Sequence, residues 1–180
     1  MKASESKVVR KFEMNGIKTD VITLHRPAPE DGVAVNDLID DCPPLDINSH
    51  YCNLLQCTHF STTSIKAVLD DELVGFISGY ITPDKPNTLF VWQVAVSAQV
   101  RGRGVGKLML TELLNRATRQ QVCYLETTVT PDNRASWALF TGIAKSMHTS
   151  LSKQTLFERD KHFAGQHDDE VLLRIGPFSR

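Results

Sequence analysis

Three glycines alternate with other residues between Arg101 and Lys107, directly after the β-branched stretch Val94-Ala-Val96. Glycine has no side chain, so the backbone amides at such positions can turn sharply and lie close to a ligand. The residues that follow have the apolar spacing of a helix, whose first turn presents unpaired N–H groups and the positive end of the helix dipole. The segment therefore predicts a pocket for a phosphate or pyrophosphate group.

The spacing of these glycines excludes two common phosphate-binding patterns. A dinucleotide fingerprint requires G-x-G-x-x-G, whereas the order here is G-x-G-x-G. A P-loop requires a glycine where Arg101 stands and a hydroxyl where Leu108 stands. The pattern Arg-x-x-Gly-x-Gly, formed by Arg101, Gly104 and Gly106 after a Val-x-Val strand, resembles the pyrophosphate loop of the GNAT family of N-acetyltransferases. The alternative is a glycine-rich turn that binds no ligand.

The resemblance implies an α+β fold with a central, mostly antiparallel twisted sheet, a splayed strand with a β-bulge, and flanking helices. It also implies acetyl-CoA as co-substrate and no metal. The amides of Val94 and Val96 would bind the pantetheine arm, and that of Val94 would stabilise negative charge on the thioester oxygen. An ordinary central strand without a bulge is the alternative. The implied coenzyme-binding residues are Val94, Val96, Arg101, Gly102, Arg103, Gly104, Val105, Gly106, Lys107 and Asn133.

Glu126 interrupts a β-prone stretch from Val122 to Val129. A carboxylate in a central strand costs free energy unless it is paired or faces a cavity. If Glu126 faces a site, it can hold an amine or help to deprotonate it, since an ammonium must lose a proton before it attacks a thioester. The alternative is an edge position at which Glu126 meets solvent.

The segment from Asn133 to Phe140 resembles the GNAT pattern Asn-x-x-Ala-x-x-Leu-Tyr, with one departure. Many members of the family have a tyrosine at the position of Phe140, and that tyrosine protonates the leaving thiolate. Phenylalanine has no proton to donate. Another donor would then serve, or the thiolate would leave unprotonated.

Four further segments resemble the acetyltransferases of ectoine synthesis, which act on the γ-amine of L-2,4-diaminobutyrate. These segments are Pro43–Gln56, Gln93–Val96, Leu125–Asn133 and His167–Glu170, and the resemblance extends over residues 22–178. It implies a substrate pocket in which acids pair with the two ammonium groups and hydrogen-bond donors meet the carboxylate. The implied residues are Asp46, Tyr51, Trp92, Glu126 and His167. Asp46 could instead be a cap or turn residue, and His167 could be a solvated loop residue.

Hydrophobic periodicity and turn residues predict the elements that position these groups. Val33, Leu38 and Ile39 are expected to face inward from the first helix, and Asn48 or Ser49 to cap the second. Trp137 and Phe140 are expected to face inward, and residues 157–168 to form a polar loop. The predicted helices are 29–41, a second helix carrying Tyr51, 104–120 and 133–145. The predicted strands are 21–24, 63–69, 73–82, 88–96, 122–129, 149–156 and 171–175.

Length and composition predict one domain over residues 21–180 after a flexible tail of residues 1–20, and the resemblance implies that this is a GNAT acetyltransferase domain. The net charge of −1 gives no electrostatic reason to expect nucleic acid. No apolar stretch reaches the length of a membrane span, and the polar N-terminus does not read as a secretory signal. Four cysteines without metal-ligand spacing predict reduced, mostly buried thiols in a cytoplasmic protein. The family resemblance implies a homodimer.

Two other functions remain open from the residues alone. The chain could acetylate another small amine, such as a polyamine, which lacks the carboxylate of diaminobutyrate. Alternatively, it could be a CoA-binding sensor without catalysis, which Phe140 would favour. A diamine without a carboxylate discriminates the first alternative, and an acyl-transfer assay discriminates the second.

Overall fold

The computed structural model describes residues 7–14 and 18–178, and the contacts between them divide the chain into two compact units. The first unit holds the described residues up to Tyr80 together with Gln93–Leu113. The second holds Ile81–Trp92 and the described residues from Leu114 onward.

The described elements follow the order expected of an α+β chain. The strands are β1 (Lys7–Met14), β2 (Lys18–His25), β3 (Ile65–Leu69), β4 (Glu72–Ile81), β5 (Thr88–Val96), β6 (Tyr124–Val129), β7 (Leu151–Phe157) and β8 (Glu170–Ile175). The helices are α1 (Gly32–Asp40), α2 (His50–Thr58), α3 (Val105–Thr118), α4 (Arg134–Ser146) and α5 (Arg159–Phe163).

In the first unit, strands β1 to β4 lie side by side in chain order, and each neighbouring pair is antiparallel. Helix α1 buries Val35, Leu38 and Ile39, which recur at the i, i+3, i+4 spacing of one helix face. They pack in a cluster with Phe76 of β4 and with Cys57 of α2. The prediction that Val33 faces inward is wrong: it lies outside this stripe and is 62% exposed.

The prediction of a flexible tail over residues 1–20 is wrong for the stretch that forms β1 and the start of β2. Lys7 pairs with Leu24 and Met14 with Lys18, so the two strands form an antiparallel pair. Residues 1–6 and 15–17 of the predicted tail lie outside the described residues.

In the second unit, β5 pairs in parallel with β6, and β8 lies between β6 and β7 in antiparallel pairs. Helix α4 begins where predicted, because the side chain of Asn133 accepts a hydrogen bond from Ser136 N at 3.1 Å. Residues 157–168 are not simply a loop. They contain the short helix α5, which ends at Ala164 in a left-handed conformation.

Two backbone hydrogen bonds join the β4 and β5 segments of the chain, one near each end. The β5 segment has one more residue between these two bonds than the β4 segment has. Near one end, Ser97 N donates to Val74 O at 2.9 Å, and near the other Thr82 N donates to Thr88 O at 3.1 Å. One more residue separates Thr88 from Ser97 than separates Val74 from Thr82. A β-bulge produces this offset, and the sequence resemblance implied one in this strand.

Among the described residues, no helix combines the length and the apolar character needed to cross a membrane.

Candidate active site

The glycine loop, residues 101–107, forms the turn that leads into α3. Gly102 and Gly104 have φ angles of 75° and 77°, a left-handed region that other residues adopt with strain. The first i→i−4 bond of the helix runs from Leu108 N to Gly104 O at 3.0 Å. The amides of residues 105–107 precede that bond, so they have no carbonyl of this kind to donate to. This is the arrangement that binds phosphate at helix N-termini.

Arg101 and strand β5 are joined through the backbone oxygen of Val96. That oxygen accepts from Arg101 Nε at 2.9 Å and from the Cys42 thiol at 3.4 Å. A Cβ built on Gly102 would meet no atom within 4 Å, so the loop has open space beside it. The loop therefore fits a pyrophosphate group by its amides, its cation and its space.

Gln93 fastens the segment between α1 and α2 to strand β5. Its Nε2 donates to the backbone oxygen of Asp46 at 2.7 Å, and its Oε1 accepts from Asn48 Nδ2 at 2.6 Å. Asn48 also reaches Asn53 at 3.4 Å, and Asn53 donates to Asn36 at 2.9 Å. Gln93, Asn36 and Asn53 are buried and Asn48 is half-buried, so most of this amide chain is shielded from water.

The predicted substrate residues of the first unit are exposed. The side chain of Asp46 is exposed, while its backbone is held by Gln93. Ser49 caps α2 by accepting from Cys52 N at 3.2 Å. Tyr51 therefore lies in the first turn of α2, where it is 70% exposed. Asp46 lies shortly before the start of this helix and Tyr51 lies just after it.

Glu126 lies in the interior of the sheet of the second unit. Strand β6 is flanked by β5 and β8, so the alternative of a solvent-exposed edge position is wrong. Glu126 is 3% exposed and pairs with two cations. Lys85 Nζ lies 3.0 Å from Oε1 and 3.2 Å from Oε2, and Arg174, its cross-strand neighbour, also donates to Oε1. Both carboxylate oxygens are thus already hydrogen-bonded.

A cavity of about 470 Å³ opens beside these groups, and we call it the Glu126 cavity. It is lined by Lys85, Glu126, Ser152, Lys153, Gln154, Leu172 and Arg174. The guanidinium carbon of Arg174 lies 3.8 Å from the centre of the Tyr124 ring, which fixes it by a cation–π contact. The volume of the Glu126 cavity falls in the range of small-molecule sites.

The end of β8 packs closely on the start of β6 and fixes Tyr124 in turn. Gly176 has a φ of 135°, and a Cβ there would lie 2.5 Å from Cys123 O and 2.6 Å from Tyr124 Cδ1. Phe178 N then donates to Cys123 O at 2.8 Å. Only glycine fits between these backbones without displacing them.

Asn133 and Trp137, two further residues that the sequence analysis named in the second unit, have hydrogen-bond partners as well. Asn133 uses its Oδ1 to cap α4. Phe140 is buried as predicted, and Trp137 is half-buried, with its Nε1 donating to Thr130 O at 3.1 Å. Trp92, at the end of this unit's part of β5, is 47% exposed.

His167 is only partly solvated. Its ring lies against that of Phe163, tilted by 39° with the ring centres 4.7 Å apart, and its Nδ1 lies 2.8 Å from Asp168 O. Its Nε2 lies 3.9 Å from a carboxylate oxygen of Glu170. The ring is therefore oriented by contacts from α5 and β8.

Sequence reasoning missed the two cations that pair with Glu126. Arg174 interrupts an apolar strand, as Glu126 does, so the same signal could have found it. Lys85 lies in a Pro/Asp/Asn loop, and its type and spacing give no signal. In the part of the chain that the structure describes, no three His, Cys, Asp or Glu side chains are grouped so that they could hold a metal ion.

Comparisons with known proteins place these features in a family. A sequence model of the acetyltransferase (GNAT) family matches residues 32–142. The chain is 52% identical over 158 residues to the L-2,4-diaminobutyric acid acetyltransferase of Methylotuvimicrobium alcaliphilum, covering 88% of this chain and 92% of that protein. It is 49% identical to the enzyme of the same name from Vibrio parahaemolyticus, covering 84% of each.

A solved structure is similar over the same extent. It is diaminobutyrate acetyltransferase EctA from Paenibacillus lautus in complex with its substrate L-2,4-diaminobutyric acid and coenzyme A. The TM-score is 0.84 and the identity 40%, with 88% of this chain and 96% of that chain covered. The chain therefore belongs to the GNAT acetyltransferases and, among them, to the family of L-2,4-diaminobutyric acid acetyltransferases.

Proposed function

We propose that this protein transfers the acetyl group of acetyl-CoA to the γ-amine of L-2,4-diaminobutyrate, giving Nγ-acetyl-diaminobutyrate, a precursor of ectoine. The observation that carries the proposal is the likeness to diaminobutyrate acetyltransferases along most of the chain. The loop of amides in the first unit agrees with a phosphate-bearing coenzyme. The polar cavity in the second unit agrees with a small polar substrate.

The glycine loop would hold the coenzyme. Acetyl-CoA supplies the acetyl group as a thioester, which an uncharged amine can attack. The amides of residues 102–107 and the guanidinium of Arg101 would bind its pyrophosphate. The amides of Val94 and Val96 would hold the pantetheine arm, and that of Val94 would polarise the thioester carbonyl. Asn133 would contribute to coenzyme binding through helix α4, which it caps, and through its Nδ2, a further donor to the coenzyme.

Glu126 would accept the proton of the γ-ammonium, directly or through a water molecule. Its position supports this role, because a buried carboxylate beside a cavity can meet an amine there. Its two cationic partners support a second role, in which Glu126 only holds the substrate. Phe140 is buried hydrocarbon, so protonation of the departing thiolate falls to another donor.

The remaining substrate contacts would come from exposed side chains. Asp46 would pair with an ammonium group, and Tyr51 and His167 would donate hydrogen bonds to the carboxylate. Trp92 would wall the site and exclude water, which strengthens electrostatic contacts.

A thiol-release assay with several amines tests the function. The proposed activity requires rapid CoA release with L-2,4-diaminobutyrate and a slower reaction with putrescine and 1,3-diaminopropane, and mass spectrometry should place the acetyl group on the γ-nitrogen. Equal or faster reaction with the diamines would identify a polyamine acetyltransferase. CoA binding by calorimetry without turnover on any amine would identify a sensor.

We further propose that the protein is a cytoplasmic homodimer. Its four cysteines are all free, which agrees with a reducing compartment. Leu156 and Phe157, at the end of strand β7, are 37% and 42% exposed, and exposed apolar side chains of this size are common at interfaces between copies.

A further inference from the structure

The Glu126 cavity carries more positive than negative charge. Its lining contains three cations, Lys85, Lys153 and Arg174, and one carboxylate, that of Glu126. Glu126 accepts from Lys85 and Arg174 at once, so one carboxylate balances two cations. An anion entering the cavity would relieve this imbalance, since two nearby like charges repel one another.

The two cations beside Glu126 are set up to bind a planar anion. The Arg174 guanidinium lies over the Tyr124 ring, with Cζ 3.8 Å from the ring centre, and its Nη1 donates to Glu126 Oε1. A guanidinium fixed in this way presents paired donors that match a carboxylate. Lys85 adds a second cation from the loop before β5, where its side chain is 48% exposed and free to adjust.

The acid within this cationic lining decides which anion fits. A phosphate group would bring two negative charges close to the buried carboxylate of Glu126, which repels them. A zwitterion avoids this repulsion, because its ammonium can pair with Glu126 while its carboxylate pairs with the cations. Ser152 and Gln154 add neutral hydrogen-bonding groups.

We propose that Lys85 and Arg174 bind the α-carboxylate of the amino-acid substrate and thereby select a diamino acid over a diamine. This inference rests on the proposed function and adds two cations to Tyr51 and His167, the neutral donors proposed above for the same carboxylate. In the substrate complex, the carboxylate takes over part of the hydrogen bonding that Glu126 now provides to Lys85. Glu126 is then available to an ammonium group of the same molecule.

A pair of substrates isolates the carboxylate contact. 1,3-Diaminopropane is L-2,4-diaminobutyrate without its carboxylate, so the ratio of kcat/KM for the two compounds measures what the carboxylate contributes. Lys85→Met keeps the length of the side chain and removes its charge, and the half-exposed position makes the change compatible with folding. Lys85→Arg keeps the charge. Lys161→Met is the matched control, since Lys161 is 69% exposed beside Glu158 and does not line the cavity.

Lys85→Met should lower kcat/KM for diaminobutyrate roughly tenfold or more, mainly through KM, because a charge-assisted hydrogen bond is lost. It should change kcat/KM for 1,3-diaminopropane less than about twofold, the size of an effect from a distant surface change. Lys85→Arg should retain most of the preference, and Lys161→Met all of it.

Three results would overturn the inference. One is an equal loss for both amines, which would make Lys85 a general support of Glu126. Another is an unchanged KM for diaminobutyrate. The third is a raised KM for acetyl-CoA, which would assign the cations to the coenzyme. A wild-type enzyme inactive on diaminobutyrate would refute the proposed function itself, and the two failures are therefore distinguishable.

Discussion

Gln93 holds the backbone carbonyl of Asp46 through a 2.7 Å hydrogen bond from its side-chain amide. The bond joins strand β5 to the segment between α1 and α2. Strand β5 and this segment are far apart in sequence. Gln93 immediately precedes Val94, whose amide is a proposed donor to the thioester. The position of Asp46 is thus tied to the same strand that carries this amide.

Replacing Gln93 with Met should loosen this tie. The half-buried side chain of Asn48 loses the shorter of its two acceptors, and the Asp46 carbonyl loses its donor. The free energy of unfolding should fall by about 1 kcal/mol, the usual net contribution of a hydrogen bond. KM for diaminobutyrate should rise more than KM for acetyl-CoA. Urea unfolding and steady-state kinetics measure both effects, with Gln120→Met, at an exposed position in the turn after α3, as control. Unchanged stability would show that the amide chain contributes nothing to this segment.

Gly104→Val should impair coenzyme binding. The φ of 77° strains a β-branched residue, and the added side chain projects from the turn that presents the amides. KM for acetyl-CoA should rise roughly tenfold or more, equivalent to about 1.4 kcal/mol, while KM for the amine changes less. Gly142→Ala is the control, because a Cβ in that helix meets no atom within 4 Å. An unaltered CoA affinity by calorimetry would remove the loop from the coenzyme site.

Glu126→Gln separates a base from a binding residue. If Glu126 takes the substrate proton, turnover should fall on the order of a hundredfold, the usual scale for a general base. Raising the pH should partly restore the rate, because more free amine becomes available. Glu158→Gln, at an exposed position, should leave the pH–rate profile unchanged. A near-normal profile for Glu126→Gln would leave Glu126 a binding or structural role and require another proton acceptor.

The Cys57 thiol should resist alkylation in the folded protein. Burial, and to a lesser extent the nearby negative charge of Asp31, raise its pKa from 9.0 to about 11. At pH 8 only about one molecule in a thousand carries the reactive thiolate. The half-buried Cys123 should react first, and mass spectrometry of the native and the urea-unfolded protein distinguishes the two. Equal labelling rates in the native state would contradict the burial of Cys57.

The same shift predicts a pH dependence of stability. The thiol pKa is higher in the folded state than in the unfolded state, so the unfolded chain loses its proton first as the pH rises. The contribution of Cys57 is therefore fully present below about pH 9 and is lost as the pH approaches 11. Denaturant unfolding across this range, compared with Cys57→Ala, should show a smaller decline in the variant.

Light scattering tests the proposed homodimer. The chain has a mass of 20.1 kDa, and the protein at micromolar concentration should scatter with twice that mass. A mass of one chain over this range would contradict the proposal. Replacing Phe157 with Ser should shift the equilibrium toward the single chain if the end of β7 contributes to the interface.

Local signals made much of the fold predictable. Strand β5 has the predicted bounds because a β-branched and aromatic run is closed by turn residues at both ends. Helix α4 begins after Asn133 because the asparagine side chain satisfies a free amide of the first turn. The glycine loop could be identified from the sequence because all of its amides come from one short, contiguous segment.

Contacts between distant parts of the chain could not be predicted in this way. Glu126 is 41 residues from Lys85 and 48 from Arg174, and only the sheet register brings the three together. The amide chain that begins at Gln93 likewise joins β5 to residues 45 or more positions earlier. Patterning predicts which residues are buried, but it does not specify their partners across a sheet.

The close packing of Gly176 against Tyr124 has a consequence for how inactive variants of this protein are interpreted. A side chain at position 176 would collide with the Cys123 carbonyl and with the Tyr124 ring, which supports Arg174. Gly176→Ala should therefore weaken substrate recognition, although Gly176 itself lies outside the lining of the Glu126 cavity. Loss of activity in such a variant would report on the support of Arg174 and would not make position 176 part of the active site.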